Sequence, residues 1–281
     1  QQVLGPDHPQ TLSSAMNLGR DLREAGDFAG STALLRSTLE RCRTVLGDDF
    51  PDTLRLASSL SVSLRKSGMH SEAHAISLEV LEQCRLLYRA EHPDTLANQL
   101  NLACDLSALD ERDQALEVSD VTCRTYERLF GIDHQYTLVG NSNRAVYLRR
   151  VGRVDEGLEL AEATLARMRT FLGPNHPLTL VCAMNLGGAR ADSGDLPGAE
   201  RVERATHAAF GQALGATHPD TLFCASNLAV TLRALDGIPE AQDLMRRSLS
   251  DLERVLGSSH PHLDYPRRWR RIHLDLEPQP V

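Results

Sequence analysis

The chain has 281 residues, of which 41% are apolar and only 4% aromatic. This composition supports a packed core and argues against an aromatic-rich β-sandwich or a base-stacking surface. The formal net charge of −8 disfavours a general nucleic-acid-binding protein. No apolar run approaches the roughly 18 residues that a membrane-spanning helix needs, so we expect no membrane partner. The first residues lack the pattern of a signal peptide, and the missing initiator Met indicates a fragment.

A nine-residue pattern recurs along the chain at a constant step of 42 residues. It begins at Leu4 as LGPDHPQTL, and it returns at 46–54, 88–96, 130–138, 172–180 and 214–222, with a degraded copy at 256–264. Self-similarity at a fixed period is the signature of a repeat protein. The sequence therefore predicts a stack of identical structural units.

Each unit contains two helical patterns. In the first unit Leu12, Ala15, Leu18, Gly19 and Leu22 share one helical face. The recurring threonine, Thr11 in this unit, either caps the helix or lies in its first turn. The helix is expected to end at a glycine in the left-handed conformation, found at Gly26, Gly68, Gly152 and Gly194. A second helix is predicted over 29–45. Two helices per unit and no strand pattern predict an all-α solenoid.

The segments NLGRDLREAG at 17–26 and NLAVTLRALDG at 227–237 resemble the first helix of a tetratricopeptide repeat (TPR). A small residue that this family places early in its second helix is matched by Ala73, Ala115, Ala199 and Ala241, with Ser31 and Gly157 in two other units. The 42-residue step and the LGxxHPxTL linker resemble the kinesin-light-chain-like branch of the family. Arg144 and Arg190 depart from the pattern, because they replace leucine at core-like positions. Either their heads reach water or their units pack irregularly.

The resemblance implies a right-handed TPR superhelix of six helix-turn-helix repeats, forming a single solenoid over 1–281. The repeats are expected at about 10–51, 52–93, 94–135, 136–177, 178–219 and 220–261, followed by a C-terminal cap and tail at 262–281.

An asparagine recurs at one position of the first helix in five units. This asparagine ladder comprises Asn17, Asn101, Asn143, Asn185 and Asn227, with Ser59 in the second unit. Asparagine is a poor helix former, so its return calls for a compensating interaction. The carboxamide matches the donors and acceptors of a peptide backbone, and the resemblance implies contact with bound peptide. Alternatively, each asparagine bonds the neighbouring repeat. A spacing of about 10 Å between first helices predicts a step of three peptide residues per repeat.

Two further sets of residues belong to the predicted peptide-binding surface. An arginine row, Arg23, Arg65, Arg149 and Arg233, is expected to form a cationic rim that favours an acidic segment or a free C-terminus. The alternative is a set of solvated helix ends. Val181, Phe223 and Val230 are expected to form an apolar docking face in the C-terminal half.

The recurring histidines are separated by whole repeats, which is incompatible with the short ligand distances of a zinc site. We expect their imidazoles to bond nearby backbone instead. No phosphate loop, nucleophile elbow or HExxH motif occurs in the sequence. The prediction is a protein that is not an enzyme and has no catalytic residues, no cofactor and no metal.

The C-terminal part contains a cluster of arginines at 267–271 around Trp269. We favour a cap over the last repeat rather than a nucleic-acid patch. The ending resembles that of bacterial NTPase–TPR proteins. Six scattered cysteines without a CxxC pair predict reduced thiols and a cytoplasmic location.

The sequence thus predicts a protein- or peptide-binding scaffold or sensor of a bacterial signalling system. The alternatives are a self-association scaffold and the ligand-sensing half of a larger nucleotide-dependent NTPase.

Overall fold

The computed structural model describes residues 4–277. Within this range the chain forms thirteen α-helices, one 3-10 helix and no strand. The helices are α1 (Pro9–Glu24), α2 (Phe28–Leu46), α3 (Pro51–Lys66), α4 (His70–Tyr88), α5 (Pro93–Ala108), α6 (Arg112–Phe130), α7 (Gln135–Arg150), α8 (Val154–Phe171), α9 (Pro177–Asp192), α10 (Leu196–Ala213), α11 (Pro219–Ala234), α12 (Ile238–Leu256) and α13 (Asp264–Arg267), with the 3-10 helix at Pro261–Leu263.

The described chain divides into two compact units, a first unit at residues 4–111 and a second unit at residues 112–277. Within each unit consecutive helices pack on one another, and the odd-numbered helices α1, α3 and α5, or α7, α9 and α11, also contact each other. This is the arrangement of a TPR-type α-solenoid, and it confirms the predicted fold class. The description of 1–281 as one six-repeat solenoid stays a prediction.

Histidine caps start most of the odd-numbered helices. The Nδ1 atom of His8 accepts the N–H of Gln10 at 3.2 Å, and His176 accepts that of Leu178 at 3.3 Å. Proline suits the first helical position, because a backbone N–H there would have no acceptor within the helix. The expectation that the imidazoles bond nearby backbone is confirmed, and the position of Thr11 is resolved: it lies in the first turn and donates to the carbonyl of Gly5 at 3.0 Å.

The turns inside the repeats reverse through a residue with positive φ. Gly26, Gly68, Gly152 and Gly194 have φ values of 83°, 81°, 88° and 89°, as the glycine pattern predicted. Asp110 and Asp236 take the same place in the third and sixth repeats, with φ values of 67° and 62°. Aspartate tolerates this region better than most residues with a side chain.

The close approach of paired helices depends on small residues. Ala73, Ala115, Ala199 and Ala241 are fully buried. The hydroxyl of Ser31 donates to the carbonyl of Gly19 across the first pair at 2.6 Å. These positions therefore fulfil the packing role that the family resemblance implies.

Two expectations about single residues are now resolved. Leu18 was expected on the buried face of the first helix, but 52% of its surface is exposed, because no earlier helix of the described chain packs on α1. The head of Arg144 pairs with Asp120, and that of Arg190 pairs with Glu162 at 2.7 Å and Asp195 at 3.0 Å. Both arginines thus carry their charge to partly exposed carboxylates, and their helices pack regularly.

Candidate functional site

The candidate site is the face of the second unit on which its own last described residues lie. After α13 the backbone turns at Trp269, whose φ is 55°, and the N–H of Arg270 donates to the carbonyl of Tyr265 at 2.8 Å. The Trp269 ring packs against Leu228 and Leu232 at the end of the stack. Residues 271–277, here called the tail segment, then continue without regular secondary structure.

Three members of the asparagine ladder hold the tail segment, each by two hydrogen bonds to a single residue. Asn227 donates to the carbonyl of Ile272 at 2.7 Å and accepts its N–H at 2.9 Å. Asn185 does the same with Leu274, at 2.8 and 3.2 Å. Asn143 does the same with Leu276, at 2.7 and 2.8 Å.

This bonding pattern is that of a strand edge. In an extended chain, alternate residues turn both their N–H and their C=O to the same side. A carboxamide carries one acceptor and adjacent donors, so it stands in for the peptide group of a neighbouring strand. Because α7, α9 and α11 each place one carboxamide at the same helical position, the three together bind the main chain of an extended segment.

The side chains of the tail segment alternate between two environments. Ile272, Leu274 and Leu276 are buried, whereas residues 271, 273, 275 and 277 are half-buried. The three apolar side chains join a core cluster that contains Val181 and Phe223. Apolar burial of this kind contributes about 25 cal/mol per Å², so the tail segment is part of the core of the second unit.

The predicted apolar docking face therefore differs from the structure. Val181 and Phe223 are buried and Val230 is half-buried, and the Phe223 ring meets the His262 ring edge-on at 5.7 Å. These residues do not form an open surface, because the C-terminal part of the same chain covers their cluster.

The predicted step of three peptide residues per repeat is wrong. The tail segment advances two residues from one carboxamide to the next. The spacing of about 10 Å that we assumed is the distance between helix axes, whereas the carboxamides that contact the tail segment lie at the ends of side chains. Two residues of extended chain, about 6.6 Å, then match the carboxamides.

The equivalent positions of the first unit are used differently. Asn17 is exposed. Ser59 is buried and accepts a bond from Arg23. Asn101 is buried and donates to the hydroxyl of Ser58 at 3.2 Å, while its Oδ1 has no hydrogen-bond partner among the described residues. At Ser59 and Asn101 the ladder position therefore contacts a neighbouring helix, the alternative that the sequence left open, whereas Asn17 is exposed.

The arginine row does not form the cationic rim that we expected. Arg23, Arg65 and Arg149 each reach one repeat forward to a partner there. Arg233 reaches Trp269 in the C-terminal part. Arg23 donates to Ser59 and Ser63 at 3.2–3.3 Å, and Arg65 donates to Asp105 at 2.7 Å. The physical reason is that the guanidinium lies near the gap between successive odd-numbered helices, where carbonyl, hydroxyl and carboxylate groups satisfy its donors.

The same correction holds in the second unit. Arg149 donates to Asp192 at 2.7 Å and to the carbonyl of Asn185 at 3.1 Å. Arg233 has its guanidinium carbon 4.7 Å from the centroid of the Trp269 ring, a cation–π contact. Both arginines thus take part in contacts between elements and are not available as a row of free cations.

A buried ion pair anchors the start of the tail segment. Arg271 bonds both the carboxylate of Glu203 on α10 and the hydroxyl of Thr231 on α11, and Thr231 in turn donates to Glu203. The Glu203 side chain is fully buried. Burial raises the pKa of Glu203, and the nearby Arg271 charge opposes that rise.

A polar cavity of about 160 Å³ lies beside this anchor. Arg149, Asn185, Asp192, Arg271 and His273 are among its lining residues. It leaves space next to the half-buried side of the tail segment, at Arg271 and His273.

Sequence reasoning missed the tail segment and Glu203. The alternation of Ile272, Leu274 and Leu276 with polar residues is a two-residue period, the signal of an extended chain with one buried face. This alternation is short and occurs once, and we had assigned it to the predicted C-terminal cap and tail at 262–281. Glu203 gives no signal in the sequence, because a glutamate in a helix is ordinarily solvated.

Neither a membrane-spanning helix nor a metal cluster emerges from the described residues. Across 4–277 no helix is both long and apolar enough to cross a bilayer. In the same range no three side chains of His, Cys, Asp or Glu come together as metal ligands would.

Family models of the tetratricopeptide repeat match residues 11–52, 95–136 and 221–262, and a further one matches 136–210. No curated protein sequence matches this chain.

Solved structures with the same fold are more numerous. A protein of Podosopora anserina described as a kinesin light chain with nearly identical TPR-like repeats is 23% identical, with a TM-score of 0.55 over 73% of this chain and 97% of that one. NprR in complex with its cognate peptide NprX is 14% identical, with a TM-score of 0.67 over 92% of this chain and 72% of that one. A Rap protein complexed with Competence and Sporulation Factor is 12% identical, with a TM-score of 0.63 over 93% and 80%.

These likenesses concern the fold alone, whereas the family models cover more than half of the sequence. Together with the helix pairs and their 42-residue step, they lead to one conclusion: the chain belongs to the tetratricopeptide repeat family, with structural neighbours of the kinesin-light-chain type.

Proposed function

We propose that this protein is a non-enzymatic peptide-binding module that holds an extended polypeptide on Asn143, Asn185 and Asn227. The observation that carries the proposal is the pairing of each carboxamide with the N–H and the C=O of one residue. This arrangement recognises backbone, so it suits any extended segment whose alternate side chains fit the apolar cluster. In this chain the tail segment occupies the site as a built-in ligand.

The comparisons support the same proposal. NprR was solved with a bound peptide and a Rap protein with Competence and Sporulation Factor, and both share this fold. Peptide recognition is therefore within the reach of such a helical stack. We extend it to this chain on the strength of its own asparagine contacts.

We revise the expected chemistry of the partner segment. An acidic segment or a free C-terminus was expected from a cationic rim, but Arg23, Arg65, Arg149 and Arg233 are engaged in contacts between elements. The tail segment offers a better guide, since it presents apolar residues at alternate positions. We propose a partner segment with that alternation.

The experiment uses the full chain with its own tail segment prevented from binding. In this released variant Arg271→Gln, Leu274→Asp and Leu276→Asp remove the anchor and place charges against the apolar cluster. A fluorescein-labelled peptide with the sequence of residues 271–277 is added, and its anisotropy is measured. We expect saturable binding, because the helices that carry the site are unchanged, and we check them by circular dichroism.

The asparagines are then tested in the same variant. Asn185→Ala removes two hydrogen bonds to the peptide, so we expect affinity to fall about 10- to 100-fold. Asn17→Ala is the matched control, since it changes the same ladder position at an exposed site of the first unit, and it should leave affinity unchanged. Absence of peptide binding, or equal affinity in the Asn185→Ala and Asn17→Ala proteins, would contradict the proposal.

Two finer expectations accompany this proposal. All six cysteines are buried free thiols, which supports a reducing, cytoplasmic compartment. That the chain is the C-terminal part of a bacterial NTPase–TPR signalling protein stays a prediction, which the sequence upstream of Gln1 in the full-length protein would test.

A further inference from the structure

A niche for one cation lies at the start of the candidate site. It is formed by Glu203, Thr231 and Gly187, and Arg271 fills it. The carboxylate of Glu203 is fully buried. Among the described residues its ion-pair partner is Arg271, and this partner belongs to the tail segment rather than to the helical stack.

The helical stack is built to hold this carboxylate. A Cβ atom at Gly187 would lie 2.5 Å from Cγ of Glu203, so only glycine leaves room for the glutamate at that point of α9. Glycine inside a helix is destabilising relative to alanine, because it loses more backbone freedom on folding. The stack therefore accommodates both a helix-weakening residue and a buried acid at the mouth of the niche.

A buried carboxylate without a counter-charge is strongly unfavourable. Thr231 supplies one hydrogen bond to Glu203, but a hydroxyl carries no charge. The niche is complete only when a cation arrives along the candidate site. An occupant that brings this cation is therefore favoured over one that does not.

The geometry of the contact selects arginine. One terminal nitrogen of Arg271 bonds Glu203 and the other bonds the Thr231 hydroxyl. A guanidinium holds two donors in a fixed fork, whereas a lysine ammonium is a single point charge. Arg271 also immediately precedes Ile272, the first residue held by the asparagine ladder, so the niche and the ladder have a fixed register.

We infer that the Glu203 niche is the specificity site for an arginine on a partner protein's segment, which reads Arg-Φ-x-Φ-x-Φ, where Φ is apolar. This inference rests on the proposed peptide-binding function and adds the identity of the residue at its first position. The tail segment, Arg271-Ile-His-Leu-Asp-Leu-Glu277, is the chain's own copy of the motif.

The built-in copy sets a threshold for such a partner. A tethered segment acts at an effective concentration on the order of millimolar. A free segment of equal intrinsic affinity therefore competes poorly, and a productive partner presents the motif with additional contacts or at high local concentration. For this reason the test uses the released variant of the full chain.

The test compares three labelled peptides on the released variant: the sequence of residues 271–277, the same peptide with Arg→Gln, and the same peptide with Arg→Lys. We expect the Gln peptide to bind at least about a hundredfold more weakly, as is typical when one partner of a buried ion pair is removed. The Lys peptide should lie between the two. This comparison needs no further substitution in the protein.

A second arm adds Glu203→Gln to the released variant. Glutamine keeps the size of the side chain but removes its charge, so the preference for Arg over Gln peptide should largely disappear. Thr231→Val provides a separate variant of the niche and should reduce the preference for Arg over Lys.

The outcomes separate the two proposals. If the Arg and Gln peptides bind equally while Asn185→Ala still weakens both, the niche inference is wrong and the peptide-binding function stands. If no peptide binds, the function itself fails. Light scattering of the unmodified full chain decides the occupant: a dimer that Glu203→Gln dissociates would show that the motif is supplied by a second copy, which would overturn a different protein as partner.

Discussion

The two units of the described chain use one helical position in two ways. In the second unit Asn143, Asn185 and Asn227 bond a polypeptide backbone. In the first unit Asn17 is exposed and Asn101 bonds a serine of the preceding repeat. The difference shows that a recurring asparagine indicates a side chain able to form hydrogen bonds. Which group lies beside it decides whether it binds a polypeptide backbone or contacts a neighbouring helix.

The arginine row gives the complementary lesson. Arg65 in the first unit and Arg149 in the second both reach one repeat forward to an aspartate, Asp105 and Asp192. The Arg65 pair is almost completely buried, whereas 41% of the Asp192 side chain is exposed. Equivalent residues thus make the same type of contact, but we expect the buried pair to contribute much more to stability than the exposed one.

The largest effect is expected for the buried pair. Arg65→Ala leaves the fully buried carboxylate of Asp105 without its partner, so we expect a loss of about 3–5 kcal/mol in the free energy of unfolding. Arg149→Ala should cost only about 1 kcal/mol, because water solvates Asp192 instead. Urea unfolding followed by circular dichroism measures both, and equal losses would show that burial does not distinguish the two pairs.

An intermediate effect is expected from the buried thiols at alkaline pH. Burial raises the pKa of Cys182 to about 11, whereas an unfolded thiol ionises near 8.5. The folded state therefore holds its proton longer, and stability that is complete below about pH 8.5 is lost as pH rises toward 11. We expect a thiol with this shift to cost about 2 kcal/mol at pH 10.

Cys182→Ala should reduce this alkaline loss in a series of thermal melts between pH 8 and pH 10. Cys42→Ala in the first unit is the matched control. The pKa of Cys42 is also raised by burial, but by less than that of Cys182. The loss of stability that Cys42 causes at alkaline pH should therefore be smaller. The same pH profile in wild type and in Cys182→Ala would contradict the assignment.

The smallest effect concerns a missing helix cap. Phe50 starts α3 without a side-chain hydrogen bond, while His176 caps the equivalent helix of the second unit. Phe50→His should restore the imidazole contact to the backbone and stabilise the chain by roughly 0.5–1 kcal/mol. The reverse change, His176→Phe, should destabilise by a similar amount. Chemical unfolding of both variants measures the change in the free energy of unfolding. This change should be an increase for Phe50→His and a decrease for His176→Phe.

Much of the fold was predictable because its determinants are local. The glycines at the turns and the histidine caps act within a few residues of chain, so nearby sequence determines where each helix begins and ends. The 42-residue step then repeats these local signals along the chain. The exceptions are also instructive. Leu18 has the right spacing for the buried face but is exposed on α1, on which no earlier helix of residues 4–277 packs.

The candidate site was predictable only in part. The ladder position was evident from five asparagines, but the bonds that define the site join residues 45, 89 and 133 positions apart. No pattern within one repeat specifies such partners. The arginine row illustrates the same limit, because its helix-end spacing suited a solvated rim and only the neighbouring repeat revealed the actual acceptors.

The amino-acid sequence by itself determined the helices, their turns and the family, because periodic apolar positions and turn residues act through short-range backbone preferences. The tertiary structure alone decided that the chain's own C-terminal residues lie on Asn143, Asn185 and Asn227, and that Arg271 meets Glu203. The physical reason is that a carboxamide or a buried carboxylate accepts whichever matching group the folded chain brings to it, and that choice depends on packing between distant segments.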